Sequence, residues 1–459
     1  MGREHWVETN FETLGTFING RAFKPNEWST NGLPIIRIQN LNNSISNYNY
    51  CDFEVPAKYH VHNGDLLFAW SGTPGTSFGA HTWYGGHAVL NQHIFRIEER
   101  SDVIDKKFFM YLINSNLNEH IASAHGTAGL AHITKAKFEE SVVSIPPLNE
   151  QKRIVEKLDA ILPKVKNAKA RLEKIPHILK KFRQSVLSVA CSGRLTEEWQ
   201  GNRGFDIVYT GVIVENPPHD IPDCWCWVEL KELSNGFQYG TSKKSETEGE
   251  VPVIRMGNLQ NGLIDFTDLK FTNDHSDISK YDLKDGDVLF NRTNSPDLVG
   301  KTSVYRGLKS AIFAGYLIRI RHKKELLDPC FLNYCLNTSR AREWCKEVKS
   351  DGVSQSNINA QILSSFLMPL PPLEEQQEIV QRVEKLFALA DSLETKYKKV
   401  IQRVEKIEQS VLAKAFRGEL ANPDPNDEPA TELLNRILQE KATLESCKKP
   451  RSKQSATPL

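Results

Sequence analysis

IPPLNEQKRIVEKLDAIL, residues 145–162, returns as LPPLEEQQEIVQRVEKLF at 370–387. The Pro-Pro-Leu, Glu-Gln and Ile-Val pairs recur at one offset, Pro146 matching Pro371 (371 − 146 = 225). The same offset holds into QSVLSVACSGRL (184–195) and QSVLAKAFRGEL (409–420). A register kept that long without a gap marks a rigid element copied once, because loops drift in length.

Apolar residues step by four and three through both copies. The first row contains Ile154, Leu158, Ile161, Leu172 and Leu179. The second contains Ile379, Val383, Leu386, Leu393, Val400 and Ile407. Sustained four-three spacing predicts a coiled-coil seam, so these residues are expected to pair the helices; the seam can also serve homodimerisation. Glu374 and Glu375 suit the positive end of a helix, and Gly193 and Gly418 suit the position past its C-terminus. Pro163 and Pro176 predict a kink or break in the first copy. Ile154 to Val186 spans about 48 Å at 1.5 Å per residue, about 14 base pairs of duplex.

A looser repeat flanks the rigid one. Leu33-Pro-Ile-Ile-Arg-Ile-Gln-Asn40 matches Val251-Pro-Val-Ile-Arg-Met-Gly-Asn258, and Asn63-Gly-Asp-Leu-Leu-Phe68 matches Asp285-Gly-Asp-Val-Leu-Phe290. Phe95-Arg-Ile97 matches Ile318-Arg-Ile320, and Tyr111–Ser115 matches Tyr334–Thr338. Short apolar runs punctuated by Gly, Asn and Pro predict strands, and three- and four-residue spacing predicts a helix over Lys107–His120. The offset wanders from 218 (251 − 33) to 223 (334 − 111), as for one fold with loops of unequal length. The predicted class is α+β: two mixed α/β globules, 1–145 and 201–370, alternate with helical regions 146–200 and 371–420. The helices are expected to pair as an antiparallel coiled coil, giving a pseudo-two-fold repeat. Residues 421–459 read as a linker, a short helix on Leu433, Leu434, Ile437 and Leu438, and a flexible tail from Lys448.

Net charge over 459 residues is +1, which by itself names no partner. Residues 1–145 carry 11 Lys+Arg against 14 Asp+Glu, whereas 146–200 carry 12 against 6, a net +6. A basic bar between mildly acidic globules is the pattern. No run reaches the ~18 apolar residues of a membrane span, and the start lacks a signal-peptide segment. Eight scattered cysteines without a CxxC pair argue for reduced thiols in the cytoplasm rather than a disulfide framework or zinc site.

Sites for chemistry are hard to find. Gly300-Lys301-Thr302 ends like a phosphate loop, but its first glycine is replaced by Ser295, and Pro296-Asp297 occupy the cradle. Asn216-Pro-Pro-His219 lacks the aromatic of an adenine methyltransferase signature. His60/His62 and His125/His132 form no ligand set. The positive candidates are polar loops beside matched strands. Asn291, Arg292, Asn294 and Ser295 follow a strand and offer the groups that read purine edges. The counterpart loop carries Ser71, Thr73 and Thr76 among glycines. Arg37/Asn40 and Arg255/Asn258 are matched pairs, with a salt bridge from strand to helix as the alternative role of each arginine. Two polar runs, 126–135 with Thr127 and 350–359 with Gln355 and Asn357, complete the candidate DNA-contacting set together with Lys301.

The chain resembles the specificity subunit of type I restriction-modification systems, in its enterobacterial group. The resemblance rests on the PPL-x-EQ-x-x-IV starts at 146 and 371, the Ile-Arg runs with Asn40 and Asn258, the GD-x-LF strands at 64 and 286, and the QSVL…G-x-L exits. It covers the chain to about residue 420. It implies a non-catalytic subunit whose two target-recognition domains each read half of an asymmetric target in double-stranded DNA, with the helical pair setting the spacer. Implied partners are two DNA adenine methyltransferase subunits and two restriction/translocase subunits. S-adenosylmethionine, ATP and Mg would sit on those partners, with no cofactor in this chain. A coiled-coil scaffold without sequence reading and a DNA-modifying enzyme are the rival classes.

Overall fold

Gly64-Asp65 and Gly286-Asp287 build the same turn twice in the computed structural model, which describes residues 3–42, 47–72, 78–116, 131–132, 134–200, 217–352 and 355–447. Gly64 and Gly286 take φ of +92° and +86°, where a side chain is strained. The Asp65 carboxylate accepts the His62 N–H at 2.8 Å, and Asp287 accepts that of Lys284 at 2.9 Å. An arginine on the neighbouring strand completes each turn: Arg319 Nη1 lies 2.8 Å from Asp287 Oδ2, and Arg96 Nη1 lies 4.0 Å from Asp65 Oδ2. The repeated GD-x-LF and x-Arg-Ile runs are therefore two sides of one strand pair.

The chain divides into two compact units, Met1–Arg171 with Val400–Leu459, and Leu172–Lys399. In the first, strands Gly15–Asn19, Ile94–Glu99, Leu66–Ala69 and Gly79–Thr82 form an antiparallel sheet in that order. In the second, Ser234–Tyr239, Leu317–His322, Val288–Asn291 and Thr302–Val304 repeat the order, and two short strands extend it. A second sheet pairs Leu33–Ile36 parallel to Ala88–Leu90, as Val251–Ile254 pairs with Ile312–Phe313. The helix expected over Lys107–His120 runs Lys106–Ser115, with 117–120 outside the described residues. Its counterpart is Pro329–Leu336. Asn114 and Asn337 tie these helices to the sheets: each amide brackets one strand residue, Ala80 at 2.8 and 2.9 Å and Thr302 at 3.5 and 2.9 Å.

Both long helices leave their globule through one construction. In the first unit, Glu150 is wholly buried, accepting the Trp6 indole N–H at 3.1 Å and lying 2.6 Å from His5 Nε2. In the second, buried Glu375 accepts the Trp225 indole at 2.8 Å, the Thr196 hydroxyl at 2.7 Å and the Gln200 amide at 2.5 Å. The adjacent glutamines are saturated by backbone. Gln151 accepts from Asp105 N–H at 2.8 Å and donates to Val103 and Pro146 carbonyls at 2.9 and 3.0 Å. Gln376 repeats this with Asp328, Leu326 and Pro371 at 2.8, 2.8 and 2.9 Å.

The first helical region is two helices, Leu148–Leu172 and Ile175–Ala190, and the second is one, Leu373–Phe416. The break falls at residues 173–174, so Pro176 sits in the first turn of the next helix, where its missing N–H costs nothing. Pro163 causes no break; it lies inside the helix on an exposed face. Pairing is antiparallel in each unit. In the first, Lys169 meets Glu405 (3.5 Å) and Lys157 donates to the Leu420 carbonyl (2.7 Å). In the second, Arg183 meets Asp391 (2.6 Å) and Arg382 donates to the Leu195 carbonyl (2.8 Å).

The seam is shorter than the heptad pattern predicts. Ile154, Leu158, Leu179, Ile379 and Val383 are buried, but all except Leu179 lie within the cores of the globules as well as along the helices. Ile161, Leu172 and Leu386 are half-buried. Leu393, Val400 and Ile407 are not seam residues: they are 44, 39 and 48% exposed. The covered row instead runs Ala390, Glu394, Tyr397, Ile401, Val404, Glu408 and Val411. Ala390, Tyr397, Val404 and Val411 belong to the four-three row of the sequence and stay covered. Only the alternate positions move by one residue, from Leu393, Val400 and Ile407 to Glu394, Ile401 and Glu408, as a straight helix drifts about 20° per heptad from a 3.5-residue repeat. The 421–429 linker is also held: Arg153 pairs with Asp427 at 2.7 Å and donates to the Asn422 carbonyl at 3.2 Å. The helix beyond it, Ala430–Cys447, buries Leu433 and Ile437 but leaves Leu438 exposed. The tail from Lys448 lies outside the described residues.

Removing the carboxylate at Glu375 strands an indole N–H and a hydroxyl in the interior. Glu375→Ala should cost about 2–4 kcal/mol in urea unfolding followed by tryptophan fluorescence, whereas Gln377→Ala, on the exposed face, should change stability little.

Candidate nucleic-acid interface

Beyond strand Val288–Asn291 the chain forms a second short strand, Thr293–Asn294. It pairs antiparallel with Ser356–Asn357, which pairs in turn with Ser350–Asp351. Two polar runs singled out separately in the sequence thus meet in one three-stranded edge. Asn357 donates to the Thr293 hydroxyl at 2.9 Å and accepts from Arg292 Nη2 at 3.3 Å. The Arg292 guanidinium lies 4.8 Å from the Tyr239 ring centre, and its Nη1 donates to the Gly315 carbonyl at 3.3 Å. Asn294 Oδ1 accepts the Ser295 N–H at 2.8 Å, and the Ser295 carbonyl turns the chain back by accepting from Leu298 at 2.9 Å. Gln355 is exposed. The edge gathers a stacked guanidinium, carboxamides and a hydroxyl, the groups that read base edges in a groove.

The first unit repeats the pairing with other residues. Ser71–Gly72, after the matched strand, pairs with Ala131–His132, so Ser71 faces His132 across the ladder. Thr73, Thr76 and Thr127, the other candidates here, lie outside the described residues.

Several candidates are frame rather than interface. Asn40 and Asn258 are each 3% exposed. Their Oδ1 atoms accept the N–H of Arg37 at 3.0 Å and Arg255 at 2.9 Å, and their amides donate back to loop carbonyls of Asn47, Asp265 and Asp268. A short carboxamide closing its own loop explains the Arg-x-x-Asn spacing without a ligand. Asn291 is wholly buried, and neither end of its side-chain amide has a hydrogen bond among the described residues. Its place in a central strand turns it inward. Among the described residues neither arginine makes a strand-to-helix salt bridge: Arg255 pairs with Asp268 of its own loop at 3.1 Å, and Arg37 stacks 5.3 Å from the Trp28 ring centre. Lys301 stands apart from the polar edge, in a cleft beside helix Ile175–Ala190.

The phosphate-loop lookalike is a strand turn. Gly300 donates its N–H to the Asn291 carbonyl at 2.8 Å, at φ +88°, and a Cβ there would lie 2.5 Å from Cys345 Sγ. His60 and His62 gather around His87, whose Nε2 lies 3.0 Å from His60 Nδ1 and whose ring stacks on His62 at 4.7 Å. Among the described residues no group of three His, Cys, Asp or Glu is arranged to hold a metal ion, and no helix is long and apolar enough to cross a membrane. Sequence reasoning missed Tyr239 and Trp28, the platforms under Arg292 and Arg37; nothing in their local spacing marks them.

Comparison with known proteins places these features. A family profile described as the type I restriction modification DNA specificity domain matches residues 3–177 and 222–403. The chain is 31% identical to the type I restriction enzyme EcoBI specificity subunit of Escherichia coli, covering 98% of this chain and 95% of that one. It is 32% identical to the EcoKI specificity subunit of Escherichia coli strain K12, over 98% of each. Among solved structures, a chain from a study of assembly and conformational transition of the type I R-M system shares the fold at TM-score 0.67, with 20% identity over 90% of this chain and 98% of that one. The HsdS subunit of Thermoanaerobacter tengcongensis does so at TM-score 0.54, with 19% identity over 91% and 98%.

Arg292→Ala should weaken specific DNA binding by about 1–3 kcal/mol, as anisotropy at fixed salt would measure. Asn258→Ala should instead lower the melting temperature, since its amide closes a loop.

Proposed function

This chain belongs to the specificity subunits of type I restriction-modification systems, and on that premise we propose that each globule reads one half of a two-part, asymmetric target in double-stranded DNA. The support is the paired polar edge present in both units: the loop after the matched central strand is laddered to a second polar run, Asn294 opposite Ser356 and Ser71 opposite His132. The frame is retained while the presented residues differ, as two modules reading different sequences require.

The helical regions set the distance between half-sites and dock two adenine methyltransferase subunits, through which two restriction/translocase subunits join. S-adenosylmethionine, ATP and Mg belong to those partners, and this chain contributes recognition rather than catalytic groups. The globule segments 1–145 and 201–370 carry more acidic than basic residues, so much of the phosphate-driven affinity comes from the partners.

Replacing residues 1–145 with the equivalent segment of a relative should change one half of the methylated sequence and leave the other, as methylation mapping in cells carrying the intact system would read. A target unchanged in both halves would favour a scaffold that reads no sequence. Inserting helical residues near Ala168 or Leu393 should change the spacer alone.

A further inference from the structure

Matched strands, matched helices and a clamping asparagine enclose a cleft in each unit, and the two linings have diverged. The first cleft, about 790 Å³, lies beside Asn114 and is lined by Tyr48, Trp83, Tyr84 and Tyr111. Its cation, Lys107, is paired with Asp159 at 2.6 Å. The second, about 740 Å³, lies beside Asn337 and is lined by Lys180, Arg183, Lys301, Arg342 and Lys346. The shared frame therefore does not require a cluster of cations at this place, yet the second copy carries one.

Among the described residues only one of these five cations has a counter-charge, and two of the other four, Lys301 and Arg342, are half-buried. Arg183 is committed to Asp391 and Glu394 of the long helix. Lys301 Nζ has no hydrogen-bond or ion partner among the described residues, and Arg342 has only the Asn337 carboxamide, at 3.2 Å. The two acidic residues lining this part of the cleft, Asp297 and Glu343, are exposed and pair with neither. Burial and the nearby Arg342 guanidinium push the Lys301 ammonium below its ordinary pKa, and burial pushes Arg342 down as well. Like charges held close and partly withdrawn from water disfavour the charged forms until an anion neutralises them.

We propose that this cleft in the second unit binds a phosphate group, with Arg342 and Lys301 as its principal ligands and Lys346 at the rim. A dianion answers two adjacent cations where a single carboxylate would leave one uncompensated, and the guanidinium fork matches phosphate oxygens two at a time. The remaining walls suit the body of a phosphorylated ligand: Tyr334 and Phe387 are apolar surfaces, and Gln260 and Asn261 bring carboxamides on a tight turn in which Asn261 takes φ +52°. The volume falls within the range of small-molecule sites. The phosphate can come from a free phosphorylated metabolite or from the duplex backbone. The site does not depend on how the half-sites are read.

Calorimetric titration of the full chain with inorganic pyrophosphate, alongside binding of a duplex lacking any target site, tests the assignment. Lys301→Gln and Arg342→Gln should each weaken phosphate binding at least tenfold, and Glu343→Gln should strengthen it, a gain that a merely structural role does not produce. Weakening for pyrophosphate but not for DNA assigns a free ligand; weakening for DNA assigns the duplex backbone. Should Arg342→Gln fail to fold, Lys301→Gln and Glu343→Gln carry the same test. Unchanged affinity for both probes in folded variants overturns the proposal.

Discussion

A carboxyl group taken out of water must have its oxygens hydrogen-bonded or it destabilises the fold. Everything in this fold hangs on two such groups, Glu150 and Glu375. Each sits in the first turn of a long helix, both oxygens engaged, one by a tryptophan immediately before the first strand of its globule, Val7–Asn10 or Cys226–Glu229. The next residue, Gln151 or Gln376, makes two hydrogen bonds to the segment leading into the globule's own helix and a third to the Pro146 or Pro371 carbonyl before the long helix. Two side chains thereby fix the direction in which a long helix leaves a globule. The Pro-Pro before them removes backbone donors where the chain turns. The motif that announces the repeat is a joint.

The globules follow a division of labour between frame and loop. Residues that repeat between copies mostly close turns or bracket strands: the Gly-Asp turns with their arginines, the Arg-x-x-Asn loops, and the asparagines at 114 and 337. Residues that differ line the polar edges and the clefts. Repetition within one chain is thus an internal control, separating what the fold needs from what each copy does with it. By that control Asn40 and Asn258 belong to the frame, and Arg292, Asn294 and the Lys301 cleft do not.

The helices show where a one-dimensional pattern stops being informative. A four-three rhythm specifies a seam only while the helix supercoils to follow it. In the second helical region Tyr397, Val404 and Val411 stay covered after Ala390, but the alternate positions of the same row, Leu393, Val400 and Ile407, are exposed. Burial at the helix ends comes from the globule cores, through Ile154, Leu158, Ile379 and Val383. The long helices are therefore anchored by their ends more than zipped along their length.

The α+β class, the two-fold repeat, the order of matched strands and the antiparallel sense of the helices were all legible in the sequence. Each depends on periodicity or on a motif occurring twice, and repetition amplifies a local signal. What tertiary structure alone decided was which polar residues face outward. Arg255 and Arg292 are alike in sequence, each just after a strand, yet one closes its own loop on Asp268 and the other stacks on Tyr239 at a laddered edge. The partners that separate them lie 13 and 53 residues away (268 − 255; 292 − 239). Their approach is set by sheet order and loop length, which no local spacing encodes. The same holds for the phosphate cleft: Lys301 and Arg342 come to line one cleft because the start of a strand and a helix 41 residues on (342 − 301) pack near each other, and neither cation has an ion pair among the described residues.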